Sequence, residues 1–197
     1  MVLVGNAIHQ LPIIAYAWQK ACEDGFSKDQ SKAQLLAIYQ NNQIIYQPNK
    51  PLLPHQPHQM PSQPITNSVH LDFVSPLRIQ HQNYIVLKPE ELTAPIILIA
   101  LAKRIQRLAE LHANPVELDL AQLLAAAQQI TIEPHLKRAT MTRYSNRQQR
   151  LMNLDGLIGR ISLTGDLSAF NELLTLGQQV HLGKNATMGL GQYHLSL

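Results

Sequence analysis

Apolar residues recur at helical spacing near the start of the chain, where Leu11, Ile14, Ala15, Trp18, Ala21 and Cys22 predict an amphipathic helix from Leu11 to Asp24 that Gly25 stops. After the polar stretch from Ser27 to Lys32, the segments Ala33 to Tyr39 and Gln43 to Tyr46 are rich in Leu, Ile and Tyr. They flank Asn41-Asn42, the pattern of a hairpin. A helix and a two-stranded ribbon bury too little apolar surface to offset their ordering entropy, so this block is expected to need further packing. From Gln47 to Gln63 the periodicity disappears: Pro48, Pro51, Pro54, Pro57 and Pro61 alternate with Gln and His, as in a linker.

Period-two alternation then puts Val69, Leu71 and Phe73 on one face of a strand from Val69 to Val74, which Pro76 is expected to break before the extended pattern resumes at Tyr84 to Leu87. Pro89 and Glu90 open a long helix through His112, and Leu118 to Ala127 predicts a second after the Asn114-Pro115 break. Further on, Leu136 to Arg143 and Leu157 to Leu163 are expected to pair as strands. Asp166 caps a helix from Leu167 to Leu176, and strands at Gln179 to Leu182 and Gln192 to Leu195 close the chain. Read from Val69, the order is strand, helices, strand, strand, helix, strand. That is the split βαβ order of an α+β, ferredoxin-like (RRM-like) domain, with one antiparallel sheet and its helices on a single face. The free face of such a sheet, or a loop at its edge, is where RNA-recognition modules place their binding groups. Three segments are therefore expected: residues 1–46, a linker over 47–66, and a main domain over 67–197.

With 197 residues, 45% of them hydrophobic, the chain has enough apolar material for a core. Its most apolar segment, Leu92 to Leu111, is interrupted by Lys103, Arg104, Gln106 and Arg107 and falls short of the roughly 18 apolar residues of a membrane span. Met1 to Val4 has no basic lead and makes a poor secretory signal, so a cytoplasmic protein without a membrane partner is expected. The single cysteine, Cys22, excludes an intrachain disulfide and a multi-thiolate zinc site. No cofactor is implied. His55 and His58, with His70 and His81 beyond, lack an accompanying carboxylate cluster, so no metal is expected either.

The net charge of +3 is small, but its distribution is uneven. From His135 onward, Lys137, Arg138, Arg143, Arg147, Arg150, Arg160 and Lys184 stand against Asp155, Asp166 and Glu172, a local +4. The first five form a run without an acid, suited to neutralising phosphates. Lys103, Arg104 and Arg107 on the long helix read as a solvated face, with extension of an RNA track as the alternative. The segment His181 to Tyr193 holds Gly183, Gly189 and Gly191, which would let backbone amides approach a phosphate, together with Lys184 as a point charge and Asn185 and Thr187 as neutral donors. A plain glycine-rich turn between helix and strand is the other reading. It is not a Walker-type loop, because no glycine-lysine-serine/threonine ending is present.

Gly183-Lys184-Asn185 followed by Gly189-Leu190-Gly191 and a last strand resembles the C-terminal glycine-rich motif of the RAMP superfamily. Within it, the chain is most similar to the endoribonucleases that process CRISPR precursor transcripts. Four further segments agree in order: Leu3-Val4-Gly5-Asn6-Ala7 with Leu11-Pro12, Phe73-Val74-Ser75-Pro76-Leu77-Arg78, Arg143-Tyr144-Ser145-Asn146-Arg147-Gln148, and Gly156-Leu157-Ile158-Gly159. The resemblance implies two ferredoxin-like domains in tandem, with a catalytic histidine and a helping tyrosine or lysine in the first. It makes residues 1–46 the second half of that first domain, so the chain is expected to begin after the catalytic region. Residues Gly25 to Lys32 depart from the glycine-richer turn of the family.

The chemistry implied is metal-independent: a ribose 2′-hydroxyl attacks the adjacent phosphate, which needs a base, an acid and surrounding cations. The RNA-binding set is then Gly183, Lys184, Asn185, Thr187, Gly189, Gly191, Lys137, Arg138, Arg143 and Arg147. Catalytic residues are not identified by the sequence. His181 and Tyr144 are the candidates, with a structural histidine and a packing tyrosine as alternatives, and His194 sits at the chain's end. Expected partners are the CRISPR repeat transcript, CRISPR effector proteins, and a second copy paired through an open strand edge in the first block. Three functions stay open: repeat processing, a non-catalytic RNA-binding remnant or subunit, and a structural domain that uses its sheet for protein partners.

Overall fold

The computed structural model describes residues 2–26, 29–40, 42–53, 64–65, 67–145 and 148–197. It divides into two compact units, Leu3–Gln59 and Met60–Leu197. In the first, a 3-10 turn over Gly5–Gln10 leads into helix α1, Leu11–Asp24, with Pro12 in its first turn. Gly25 ends α1 at φ 100°, its N–H donating to Ala21 O at 3.0 Å. The buried stripe is narrower than the periodicity implies: Leu11, Ala15 and Cys22 are inside, while Trp18 is 43% exposed beside Phe26. Strands β1, Ile38–Gln40, and β2, Gln43–Tyr46, pair antiparallel, with Asn42 at φ 62° in the turn. The first strand is shorter than expected. Tyr46 Oη donates to Gln19 Oε1 at 2.8 Å and fastens the ribbon to α1. Most of the proline-rich stretch lies outside the described residues.

The second unit is built on four long-range strands: β3, Ser68–Leu77; β6, Thr131–Ala139; β9, Gly156–Thr164; and β10, Tyr193–Ser196. They form one sheet in the order β10-β3-β9-β6 with every neighbour antiparallel. Between the first two strands in sequence lie the minimal ribbon β4, Gln80–His81, with β5, Tyr84–Ile85, and then helices α2, Ala94–His112, and α3, Leu120–Ala127. Helix α4, Asn171–Val180, precedes the last strand. This is the expected α+β, ferredoxin-like arrangement. Alternation sends Val69, Leu71, Phe73, Ile161, Leu163 and Tyr193 into a core closed by Ile97, Leu98 and Leu101 of α2 and Leu173 and Leu174 of α4.

Several boundaries differ from the sequence reading, each for a local reason. Pro76 does not break β3. The strand runs on to Leu77 through a register shift between Phe73 and Leu77, where a missing N–H costs no ladder bond. Pro89–Glu91 is a separate 3-10 turn, and α2 starts at Ala94 because Thr93 caps it, accepting from Ile96 N. Asp119 caps α3 by accepting from the N–H groups of Ala121 and Gln122. Asp166 accepts from Ser168 N, but a 3-10 turn intervenes and α4 begins only at Asn171. Gln179 to Leu182 is not a strand: α4 continues to Val180 and His181 ends it at φ 62°. Leu136 to Arg143 is not one strand either, since β6 stops at Ala139 and Arg143 belongs to a separate hairpin.

Tyr193 shows how tightly α4 sits on the sheet. Its hydroxyl is buried and donates to Leu174 O at 2.7 Å, and burial pushes the phenol well above its ordinary range. A methyl at Gly177 would overlap that hydroxyl and come within 2.9 Å of Leu101 Cδ1. Gly177→Ala is therefore expected to cost roughly 1–3 kcal/mol of stability, read as a lower urea midpoint with an unchanged m value. Combined with Tyr193→Phe, which deletes the overlapped oxygen, it should cost less than the two changes added separately.

Candidate nucleic-acid interface

The glycine-bearing turn is held at both ends by the extension of β3. Leu182 N donates to Gly191 O at 2.9 Å, Gly191 N to Pro76 O at 3.0 Å, and Lys184 N to Arg78 O at 2.7 Å. Inside it, Asn185 at φ 62° starts a single 3-10 turn, Ala186–Met188, whose N–H bonds run from Met188 to Asn185 O and from Gly189 to Ala186 O. Two of the three glycines are required by the protein's own packing. A Cβ at Gly183 would strike Arg78 O, and one at Gly191 would strike Leu182 O. Only Gly189, at φ 87° with nothing within 4 Å of an added Cβ, faces open space. Lys184, Thr187 and Met188 are exposed beside it and Asn185 is half-buried. Among the described residues no carboxylate pairs with Lys184.

Next to this turn stands the hairpin of β7, Thr142–Ser145, and β8, Arg150–Asn153. Its register pairs Arg143 with Met152 and Ser145 with Arg150, which sets both arginines on one face; Tyr144 and Leu151 pair on the other, 50% and 70% exposed. Arg143 Nη1 reaches Met188 Sδ at 3.2 Å, and Asn185 Nδ2 approaches the same sulfur at 3.7 Å. Arg143 is thereby brought to the turn that carries Lys184. Arg150, for which the sequence implies only a charge, shares that face and donates to Gln148 Oε1 at 3.0 Å. Arg147 and Asn146 lie outside the described residues.

The other expected cations are spent or placed elsewhere. Arg138 Nη2 pairs with Asp155 Oδ2 at 2.7 Å. Arg160 grips both oxygens of Asp72 at 2.6 and 3.0 Å on the open sheet face. Lys137, opposite Ile158, alternates onto that same face, away from the core side of Leu136. There the row His194, Asp72, Arg160, His135 crosses all four strands, with His70 bonded to Ser162 at 2.9 Å in the next row. No Phe, Tyr or Trp stands among these residues, so the face lacks the large aromatic stacking platform of RRM-type readers. Arg104 on α2 is not a solvated cation: its Nε donates to Val180 O and His181 O at 2.7 and 3.0 Å, closing the C-terminus of α4.

His181 and Tyr144, the two catalytic candidates, both have partners. His181 Nδ1 lies 3.2 Å from Leu190 O, a bond that requires the proton on Nδ1. Burial pushes this imidazole below its ordinary value; the Leu190 carbonyl opposes that and nearby Arg104 adds to it. Tyr144 Oη donates to Gln149 Oε1 at 3.0 Å. No group of three or more His, Cys, Asp or Glu able to hold a metal occurs among the described residues, and His55 and His58 fall outside them. No described helix is long and apolar enough to cross a membrane.

This geometry coincides with the span of a known family. The model for the CRISPR-associated endoribonuclease Cas6 matches residues 71–193, and a model described as an N-terminal domain matches residues 1–59. No curated protein matches the sequence. Among solved structures, a product complex of Cas6 (TTHB231), the Thermus thermophilus protein, is similar with a TM-score of 0.59 at 13% identity, over 92% of this chain and 69% of that one. A product complex of Cas6 (TTHA0078) gives a TM-score of 0.48 at 17% identity, over 68% and 53%. A partial Cas6-RT-Cas1–Cas2 complex gives 0.47 at 22% identity, over 67% and 22%. The chain spans about half the length of the first of the solved structures it matches.

Asp155 sits at the root of the hairpin, 2% exposed, accepting from Arg138 and from Met141 N. The Arg138 guanidinium holds its carboxyl below the ordinary value of 3.8, against the effect of burial and with help from the Met141 N–H. A carboxyl lowered by folding contributes stability that is complete above its unfolded value and is lost as pH falls through the folded one. Asp155→Asn is therefore expected to be less stable than wild type at neutral pH, with the difference shrinking below about pH 4. Urea unfolding across a pH series measures it, and a gap that stays constant down to pH 2.5 would refute the assignment.

Proposed function

The chain belongs to the Cas6 family of CRISPR-associated endoribonucleases, and from that premise we propose that it binds and processes CRISPR precursor RNA by metal-independent cleavage within the repeat. The observation that carries the binding half is the contact of Arg143 with Met188, which sets the arginine face of the hairpin beside the exposed Lys184 turn. Arg143, Arg150 and Lys184 form a surface free of carboxylate partners among the described residues, matched to phosphate oxygens. Asn185, Thr187 and the open backbone at Gly189 add neutral contacts, while Tyr144, half-exposed on the hairpin's other face, stacks on a base that wraps past the arginines.

In the reaction we propose, the 2′-hydroxyl attacks the adjacent phosphorus, leaving a cyclic phosphate on one product and a 5′-hydroxyl on the other. The three cations stabilise the charge that develops on the phosphorane oxygens. We further propose that residues 1–46 are part of a second ferredoxin-like unit joined by the 47–66 linker. A second reading, a non-catalytic RNA-binding subunit that works alongside CRISPR effector proteins, is favoured by the occupied imidazole of His181 and hydroxyl of Tyr144.

Incubating the chain with a CRISPR repeat hairpin in chelator separates the two readings. Binding with cleavage to a cyclic-phosphate end supports processing, and binding without cleavage supports the subunit. No binding even at low salt removes both. In either binding case, Lys184→Ala and Arg143→Ala are expected to weaken affinity for all repeat sequences and to reduce the slope of log K against log salt by about 0.7–0.9 each.

A further inference from the structure

Arg78 touches both halves of this surface. It lies just past β3, and its own carbonyl accepts Lys184 N at 2.7 Å while its backbone bridges to Gly183 in parallel. Its side chain runs the other way: Nη1 donates to Asp155 O at 2.9 Å and to Asn153 O at 3.4 Å, the last residue of β8 and the root of the hairpin. That root is closed by further bonds, Leu154 N to Met141 O at 2.7 Å and Asp155 N to Asn153 Oδ1 at 2.7 Å. Nε is buried with no partner among the described residues, so only the far end of the guanidinium fixes the group.

We propose that Arg78 is a positioning residue that locks the 142–153 hairpin to the 182–191 turn, so that Arg143, Arg150 and Lys184 meet RNA as one rigid surface. The proposal rests on reading both elements as RNA-facing. Arginine suits the task because its rigid planar guanidinium, with Nε buried, holds Nη1 in a set direction toward both Asp155 O and Asn153 O, which a flexible lysine ammonium does not reproduce. The room at Gly183 is part of the same device: any side chain there would push Lys184 away from Arg78 O. A rigid pair of elements binds more tightly than two that must be ordered separately, since less freedom is lost on association.

The test uses the full chain with Arg78→Lys, which keeps the charge, and Arg78→Gln, which removes it. Repeat-RNA affinity is measured across a salt series and amide hydrogen exchange at Met141, Leu154 and Lys184. The expected result is that Arg78→Lys weakens RNA binding about tenfold and speeds exchange at all three amides together, while amides of the central strands, such as Leu71 and Ile161, stay protected. If Arg78 instead contacted phosphate, Arg78→Lys would keep its affinity and Arg78→Gln would lower the salt slope by about one without changing exchange. That result overturns the proposal, as does faster exchange confined to one of the two elements.

A third variant guards against loss of fold in the first two. Lys184→Pro deletes the N–H that Arg78 accepts, and the coupling requires it to speed exchange at Met141 and Leu154 across the gap; unchanged exchange there refutes the coupling. Because the exchange arm needs no RNA, failure of the RNA reading shows as absent binding with the coupling intact. Failure of the proposal shows as uncoupled exchange.

Discussion

The end of β3 and the residue just past it, Ser75 to Arg78, hold the candidate site together. Ser75 Oγ accepts Gln192 N at 2.8 Å, Pro76 O accepts Gly191 N, Arg78 O accepts Lys184 N, and the Arg78 side chain reaches the carbonyls under the hairpin. Each is a bond to main chain, so it fixes the path of the partner segment rather than a single side chain. The register shift between Phe73 and Leu77 makes this possible: it releases the strand from continuous ladder pairing where its carbonyls are needed by the glycine turn.

From that constraint follows a division of labour among the basic residues. Arg78 and Arg104 donate to backbone carbonyls, Arg138 and Arg160 neutralise Asp155 and Asp72, and none of the four is left as an open charge. What remains near the turn is Lys184 on it and Arg143 reaching it, with Arg150 on the same face of the hairpin as Arg143. The open sheet face carries histidines, a closed Asp72–Arg160 pair and the exposed Lys137, without a Phe, Tyr or Trp among the residues named on it. A surface of few cations on a firmly anchored turn favours specificity of position over raw electrostatic affinity.

Much of the fold could be read from the sequence, because it rests on periodicity. Alternation at Val69, Leu71 and Phe73, helical spacing at Ile97, Leu98 and Leu101, and the element order were enough to place the ferredoxin-like sheet. Boundaries set by long-range bonds were not readable. Nothing local at Gln179 announces that Arg104, 76 residues earlier by the contact to Val180, holds α4 closed beyond it. Nor does the Pro76 signal betray a bulge that tolerates it. In the candidate site the residue types could be read and their surroundings could not: Gly183 and Gly191 sit where protein backbone comes close, and Arg138 answers a buried acid. Arg78 was visible only as part of a motif, since its importance lies in joining segments about 75 and 105 residues away, as the Asn153 and Lys184 contacts record.

The central claim is that RNA meets the turn at Lys184 and the arginine face of the hairpin. Amide chemical-shift mapping of the full chain during titration with a CRISPR repeat RNA tests it most directly. Perturbations should concentrate at residues 142–153 and 183–189 and leave the open-face residues His70, Asp72, Arg160 and His194 unmoved. Perturbations centred on that sheet face, with Lys184 and Arg143 silent, would contradict the account.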